Sequence, residues 1–282
     1  MSLLHRPLFL MLLLFQLAML LLLIFIDDKI LFFISATALI LVGIPHGAVD
    51  VLHRQHTRFN KLTVFLAVYI SVILLYALLW YGWSVLALLL FMAISVLHFG
   101  ETVFESKQWY HLKPLLWGLL FILIPVTIHM DEAFAIFADM MSMPSIANVQ
   151  TTFYALSGLL LMVHLVHVFK TEQGKAFVFL LLQWGLLILW FWFTPLLEGF
   201  LMAFVVWHAL PSLFQQKEVY ERSDTANSVV FWLTMLVYTF FAAALLALLA
   251  YFFELTPAFL FVLLSLITLP HALVIHNTMP DA

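Results

Sequence analysis

Long runs of apolar residues, separated by short polar segments, dominate the pattern of this chain. A helix needs about 20 apolar residues to cross the hydrocarbon core of a bilayer. The runs are continuous and rich in Leu and Phe, and they lack the alternation of a membrane β-barrel. They predict an all-α integral membrane protein, a single bundle of about ten transmembrane helices. The predicted spans are 7–26, 30–52, 62–82, 84–104, 112–130, 150–169, 176–194, 197–215, 228–252 and 257–276.

The composition supports this class. Of the 282 residues, 66% are hydrophobic and 9% are charged, whereas a soluble domain is about 25% charged. The absence of cysteine excludes thiolate metal ligands and disulfides, so nitrogen or oxygen atoms would hold any metal. No linker or charge block divides the chain. We therefore expect one polytopic transmembrane domain over residues 1–282, with membrane lipid as a partner and no nucleic-acid partner.

The distribution of basic residues predicts the orientation. Cytoplasmic loops of membrane proteins are enriched in Lys and Arg. With a cytoplasmic amino terminus, ten of the 11 basic residues lie inside and only Lys29 lies outside. We expect a multi-pass protein of the cytoplasmic (inner) membrane. The inside residues are Arg6, Arg54, Arg58, Lys61, Lys107, Lys113, Lys170, Lys175, Lys217 and Arg222.

The longest outside connection, 130–149, is acidic rather than basic. It also contains the apolar residues Phe134, Ile136 and Phe137. This segment is expected to form a short amphipathic helix on the membrane surface.

Four histidines stand within apolar segments: His46, His98, His208 and His271. They fall on the second, fourth, eighth and tenth predicted helices, which all run from outside to inside. Each precedes the inner end of its helix by one to two turns, so the four are predicted to share one layer of the membrane. Ionisable groups at this depth usually face the bundle interior or one another. Imidazole is also a good ligand for iron, zinc or copper.

A single histidine near a helix end is more often an interfacial residue or one paired with a neighbouring carbonyl. The agreement in depth favours a shared role for these four. His164 and His167 fall in a similar layer. For the other six we expect solvent-exposed or terminal positions without a site role: His5, His53, His56, His111, His129 and His276.

The residues around the histidines indicate close helix packing. Proline directly precedes both His46 and His271, which permits a kink and frees a backbone carbonyl. Asp50 follows His46 by four residues, and Glu101 follows His98 by three, so each pair shares a helix face. These carboxylates are expected either to orient a ligating imidazole or to extend as charges to the membrane surface.

The same residues resemble those of a known family. Gly43-Ile-Pro-His46-Gly-Ala-Val-Asp50, His98-Phe-Gly, Trp207-His208 and Thr268-Leu-Pro-His271 look like the motifs of the Brp/Blh family of membrane β-carotene 15,15′-dioxygenases. The motifs occur in the family's order and extend over residues 43–276. The resemblance implies that the histidines bind a single ferrous iron. That iron would activate dioxygen, O2, to cleave β-carotene centrally into two retinal molecules.

Two departures from the family's motifs make the resemblance that of a divergent member. The family's third motif resembles His-x-x-x-His, but here Ser212 stands four residues after His208. Either His271 completes a set of four ligands or the chain has lost one, with His167 as a further candidate. An acidic residue that the family tends to carry five positions after the second-motif histidine is replaced by Val103. Glu101 is the candidate to replace it.

Aromatic side chains beside the histidines are candidates for the wall of a polyene tunnel: Phe99, Phe204 and Trp207. The simpler interpretation of such residues is that they pack within the helix bundle or contact lipid. Two other functions remain open, namely a non-catalytic carotenoid- or retinal-binding protein that lost the iron and a haem-binding electron carrier. A rhodopsin that accepts the retinal is a possible partner.

Overall fold

The structure is a computed structural model. It describes residues 7–104, 111–141, 150–172, 174–222 and 226–278. The described residues form helices and short connections, and no strand occurs among them. The α-helices are α1 Pro7–Leu22, α2 Asp28–Ala38, α3 Ile44–Ala48, α4 Leu62–Gly82, α5 Ser84–Phe104, α6 Leu112–Ile128, α7 Met130–Met141, α8 Gln150–Thr171, α9 Lys175–Phe193, α10 Leu196–Phe204, α11 Leu210–Glu221, α12 Ser228–Phe252 and α13 Pro257–Thr278.

Two of the membrane crossings contain wider turns. The first π segment, Leu39–Gly43, joins α2 to α3, and a 3-10 helix, Asp50–His56, follows after Val49. The second π segment, Val205–Ala209, joins α10 to α11. These composite helices form the apolar spans Asp28–His56 and Leu196–Glu221.

Every predicted span coincides with a helix or with a run of helices, so the all-α membrane class is confirmed. Within the described ranges, eight helices are long and apolar enough to cross a membrane, or nine if the bent pair α6–α7 is one span. The helix α1 is shorter, at 16 residues. The ten predicted segments are thus all helical, and among the described residues eight or nine of them are long and apolar enough to cross a membrane.

The helix predicted for the segment after residue 130 is present as α7, which turns away from α6 by 104°. Its Ile136 is buried in a cluster with Ala133, Leu196 and Ala258. The apolar side of α7 therefore packs on the protein. The rest of that predicted segment, 142–149, lies outside the described residues.

Helices α5 and α6 are packed backbone to backbone. A β-carbon built on Gly118 would lie 1.9 Å from the Val96 carbonyl oxygen, and one built on Gly100 would lie 2.2 Å from the Pro114 carbonyl oxygen. Only glycine fits at such approaches. This contact fixes the part of α5 that carries His98.

Helix α12 is the opposite case. Of its 25 described residues only Phe231, close to its amino terminus, is buried. Phe231 packs with Val49, Leu213 and Tyr220, and Asn227 caps the helix by accepting from the Val229 N–H group. The rest of α12 stands against the bundle as a thinly packed wall.

Candidate metal centre

The four histidines predicted to share one depth are brought into one cluster. Ring centroids lie 4.7 Å apart for His46 and His271, 5.2 Å for His46 and His208, 4.6 Å for His98 and His208, and 5.0 Å for His98 and His271. All four side chains are buried. Four helices distant in sequence therefore supply one compact group of imidazoles.

The first π segment positions His46. Its last hydrogen bond runs from the Ile44 N–H group to the Leu39 carbonyl, and Pro45, which has no N–H group, follows at once. A wide turn at this point accommodates the proline ring, and such turns are frequent at functional sites. Nδ1 of His46 donates to the carbonyl oxygen of Gly43. Nε2 is therefore the nitrogen of His46 left for coordination.

The second π segment repeats this arrangement around His208. The Leu210 N–H group donates to the Val205 carbonyl, and Pro211 follows at once. The two π segments pack against each other. In both crossings, a π segment ends two residues before a proline, and a site histidine lies within three residues of that end.

His271 is held by a carboxylate from another part of the chain. Its Nδ1 donates to Asp50, 2.8 Å from Oδ1 and 3.0 Å from Oδ2. Asp50 also accepts a hydrogen bond from the Tyr69 hydroxyl, 3.0 Å from Oδ2. A carboxylate on Nδ1 fixes the tautomer and leaves Nε2 free, as is usual for a metal-binding histidine.

The remaining nitrogens suit a cation. Nδ1 and Nε2 of His98, Nδ1 of His208 and Nε2 of His271 are all buried and have no hydrogen-bond partner among the described residues. Unpaired buried nitrogens are costly, and a metal ion is one way to satisfy them. One ligand atom each from His46, His208 and His271 lies within 4.8 Å of the others. The donor set, neutral imidazole with a carboxylate behind it, fits a divalent transition metal.

Glu101 forms no hydrogen bond to His98, although orienting that imidazole was one of the two roles expected for it. It accepts a hydrogen bond from Nδ1 of His276, at 2.8 Å, whereas neither ring nitrogen of His98 has a hydrogen-bond partner in the part of the chain that the structure describes. His276 was expected to have no role. Its position at the end of α13 brings it beside α5, where it pairs with a buried carboxylate.

Ser212 is buried beside the histidine cluster, where it helps to hold the backbone of His46 in place through Gln216. Its Oγ accepts a hydrogen bond from Nε2 of Gln216, at 3.2 Å, and the same amide nitrogen donates to the carbonyl oxygen of His46, at 2.8 Å. The serine where the family motif has histidine therefore takes part in holding the backbone of a neighbouring helix. His271 brings the cluster to four imidazoles.

The other histidines of that depth lie elsewhere. His167 is partly exposed on α8, a helix that packs on α6 and α9, so its candidacy as a fourth ligand is not supported. His164 is buried on the same helix, with its ring against Trp184 at 5.8 Å. His53 was expected to be solvated but is fully buried, because the 3-10 helix after Asp50 continues inside the protein.

A cavity of about 430 Å³ opens beside the histidines. Its wall includes all four imidazoles, Asp50 and Tyr69, and is otherwise almost entirely apolar. It extends along α13 from His271 to Leu260, about 16 Å at the helical rise of 1.5 Å per residue. A long apolar molecule can lie along this cavity with one part against the histidines.

Two of the three predicted wall residues line the cavity. The Phe99 ring lies 4.6 Å from that of His208, and the Phe204 ring lies 5.2 Å from it. The third prediction is wrong. Trp207 is fully buried on another side of the second π segment, where its Nε1 donates to Gln16 of α1 at 2.7 Å.

Sequence reasoning missed Tyr69 and Gln216. Neither stands near a histidine in the sequence, and no local motif marks them. The one available signal was their polarity within or beside an apolar helix, because polar groups there usually meet a partner.

Fold and site together define a multi-pass helical membrane protein with a buried histidine cluster at an apolar cavity. The family model described as beta-carotene 15,15'-dioxygenase matches residues 37–278, and the chain belongs to that family. The resemblance seen in the motifs is thereby confirmed.

A curated relative, the beta-carotene 15,15'-dioxygenase of uncultured marine bacterium 66A03, is 29% identical over 82 residues. The match covers 26% of this chain and 30% of that relative, so it spans less than a third of the relative's length. No solved structure gives a significant match.

Proposed function

We propose that this protein cleaves the central double bond of β-carotene with dioxygen, in an iron-dependent reaction that yields two retinal molecules. The observation that carries the proposal is the cluster of four buried imidazoles at an apolar cavity, in a member of this family. In the reaction one carbon–carbon double bond breaks, and each of its carbons takes one oxygen atom of O2 as an aldehyde.

His46, His98, His208 and His271 are the proposed ligands of Fe²⁺. When bound, ferrous iron supplies the activation of dioxygen that this cleavage needs. The chain contributes the rest. Asp50 holds one ligand in the required tautomer, the Gly43 carbonyl holds another, and the close contact of α5 with α6 fixes the helix of a third.

The cavity wall supplies substrate binding and the exclusion of water. Phe99 and Phe204 lie directly against the histidine rings, where they can pack on a conjugated chain. Outside the polar cluster the wall is apolar, so a hydrocarbon is favoured over a polar substrate. The cavity volume also falls in the range of roughly 300–1,000 Å³ that is usual for small-molecule sites.

One alternative has a specific observation in its favour. Ser212 stands where the family motif has a histidine, and its hydroxyl is occupied by Gln216. A protein that lost the iron in this way would bind a carotenoid or retinal without cleaving it. A haem carrier is disfavoured, because the four rings are in mutual contact and leave no gap for a porphyrin between opposed ligands.

The proposed setting follows from the substrate. Carotenoid dissolves in the bilayer, so an enzyme embedded in the cytoplasmic (inner) membrane meets it there. Retinal is also apolar and leaves into lipid, from which a rhodopsin in the same membrane would take it.

The proposal is tested in a bacterial host that makes β-carotene. We expect the wild-type chain to turn the cells pale, to accumulate retinal, and to be purified with about one iron per chain. His98→Ala should abolish both iron and retinal. His167→Gln, which changes a membrane histidine outside the cluster, is the matched control and should keep both. Coloured cells with a metal-free protein that retains carotenoid would establish the binding-protein alternative.

A further inference from the structure

We infer that Tyr69 is a positioning residue for the metal ligand His271, acting through Asp50. The inference rests on the proposed function in one respect, namely that His271 binds the metal. It adds α4 to the support of the site, a helix that carries none of the four histidines.

Hydrogen-bond geometry carries the inference. Both carboxylate oxygens of Asp50 lie within 3.0 Å of Nδ1 of His271, and the Tyr69 hydroxyl lies 3.0 Å from Oδ2. The imidazole alone, centred between the two oxygens, leaves the carboxylate free to rotate about its bond to Cβ. The hydroxyl contacts only one oxygen, so it selects one rotation and thereby one orientation of the His271 ring.

The burial of Asp50 within the membrane makes its hydrogen bond with Tyr69 important for the site. Asp50 is buried within a membrane-spanning segment, where an ionised carboxylate is costly unless donors surround it. Among the described residues, Asp50 has two side-chain donors in hydrogen-bond geometry, the Tyr69 hydroxyl and the proposed ligand His271 itself. Loss of the hydroxyl therefore loosens the carboxylate and the ligand together.

A simpler interpretation of Tyr69 is that its ring only forms part of the cavity wall. The ring does line the cavity and lies 5.8 Å from that of Phe65, one turn earlier on α4. The two roles are separable because Tyr69→Phe keeps the ring and removes only the hydroxyl.

The matched control stands two turns further along the same helix. Tyr76 is buried, whereas Tyr69 is half-buried, and the Tyr76 hydroxyl donates to the Ala87 carbonyl at 2.7 Å. It is outside the cavity wall. Tyr76→Phe thus removes a buried tyrosine hydrogen bond from α4 with no connection to His271.

The experiment measures the binding of cobalt(II) to the purified full chain in detergent, by visible absorption in competition with a chelator. Tyr69→Phe should weaken cobalt binding by about tenfold, the lower end of the effect known for residues that support metal ligands, and should alter the cobalt spectrum. Tyr76→Phe should leave both unchanged. Equal affinities in Tyr69→Phe and the wild type would overturn the inference, as would equal losses in the two variants.

A double-variant cycle tests the route through Asp50. In an Asp50→Asn background the additional Tyr69→Phe change should alter affinity less than twofold, because the path to His271 is already weakened. A full additional loss would show that Tyr69 acts elsewhere. Failure of the proposed function can be told apart from failure of the inference. A wild-type chain that binds cobalt but forms no retinal refutes the proposed activity and leaves the role of Tyr69 standing. A wild-type chain that binds no cobalt refutes both.

Discussion

Asp50 and His271 are 221 residues apart in the chain, yet the carboxylate of one accepts a hydrogen bond from the imidazole of the other at 2.8 Å. Asp50 also follows His46 by four residues. One short segment thus contributes a proposed ligand and the carboxylate that orients another. This relationship joins the span Asp28–His56 to α13 at the level of the candidate metal centre.

The first prediction concerns that carboxylate. Asp50→Ala should weaken metal binding by roughly 10- to 100-fold, because His271 loses the acceptor that fixes its tautomer. The measurement is metal content after equilibration with a series of chelators. Glu101→Gln is the comparison, since Glu101 accepts a hydrogen bond from His276, and it should change affinity by less than about threefold. A larger loss for Glu101→Gln would restore the role first expected for that residue.

The second prediction concerns the contact of α5 with α6. Gly118→Ala should destabilise the protein by about 1–3 kcal/mol or more, since the new methyl group meets the Val96 carbonyl and the helices must separate. Retinal formation should fall with it as His98 shifts. The control is Gly185→Ala on α9, where nothing lies within 4 Å. We expect it to be neutral or stabilising by up to about 1 kcal/mol, and thermal unfolding in detergent measures both.

The third prediction concerns the cavity wall on α12. Ala242 lines the cavity, and Ala244 lies on the exposed side of the same helix. Ala242→Phe should fill part of the cavity and lower retinal formation at least about tenfold, the scale of a lost apolar contact, without lowering iron content. Ala244→Phe should leave both unchanged. If the two variants behave alike, the cavity is not where the substrate binds.

The fourth prediction concerns the serine in the family motif. Ser212→His should not increase the amount of metal bound, because His271 already supplies a fourth imidazole. The larger side chain should also destabilise the fold by about 1–3 kcal/mol, since Ser212 is buried against Gln216. Iron analysis and thermal unfolding test this together. A variant that gains iron and activity would show instead that the wild-type site lacks a ligand.

The helices and the common depth of the histidines were predictable from the sequence. Apolar run length determines which segments span the membrane, and distance from a helix end determines depth. The direction in which a side chain points is harder to predict. Trp207 and His208 are adjacent in sequence but face different sides of their helix, since neighbouring residues on a helix do not share a face. The tryptophan therefore packs on α1 and the histidine joins the cluster.

The long-range partners of the two carboxylates could not be predicted from the sequence, for a different reason. Local spacing placed Asp50 and Glu101 near His46 and His98, but each carboxylate pairs with a residue of α13. Such contacts depend on which helices are neighbours in the bundle, and periodicity carries no information on that. The motifs found the ligand candidates. Their supporting residues emerged only from the tertiary structure.

The thin packing of α12 gives the surrounding lipid a mechanical role. Phe231 is the single buried residue among the 25 of this helix, so the outer side of one cavity wall would face acyl chains in a bilayer. The lateral pressure of the bilayer therefore acts on the width of the cavity, and bilayer thickness on the tilt of its wall. We expect turnover to depend on lipid composition as well as on substrate supply.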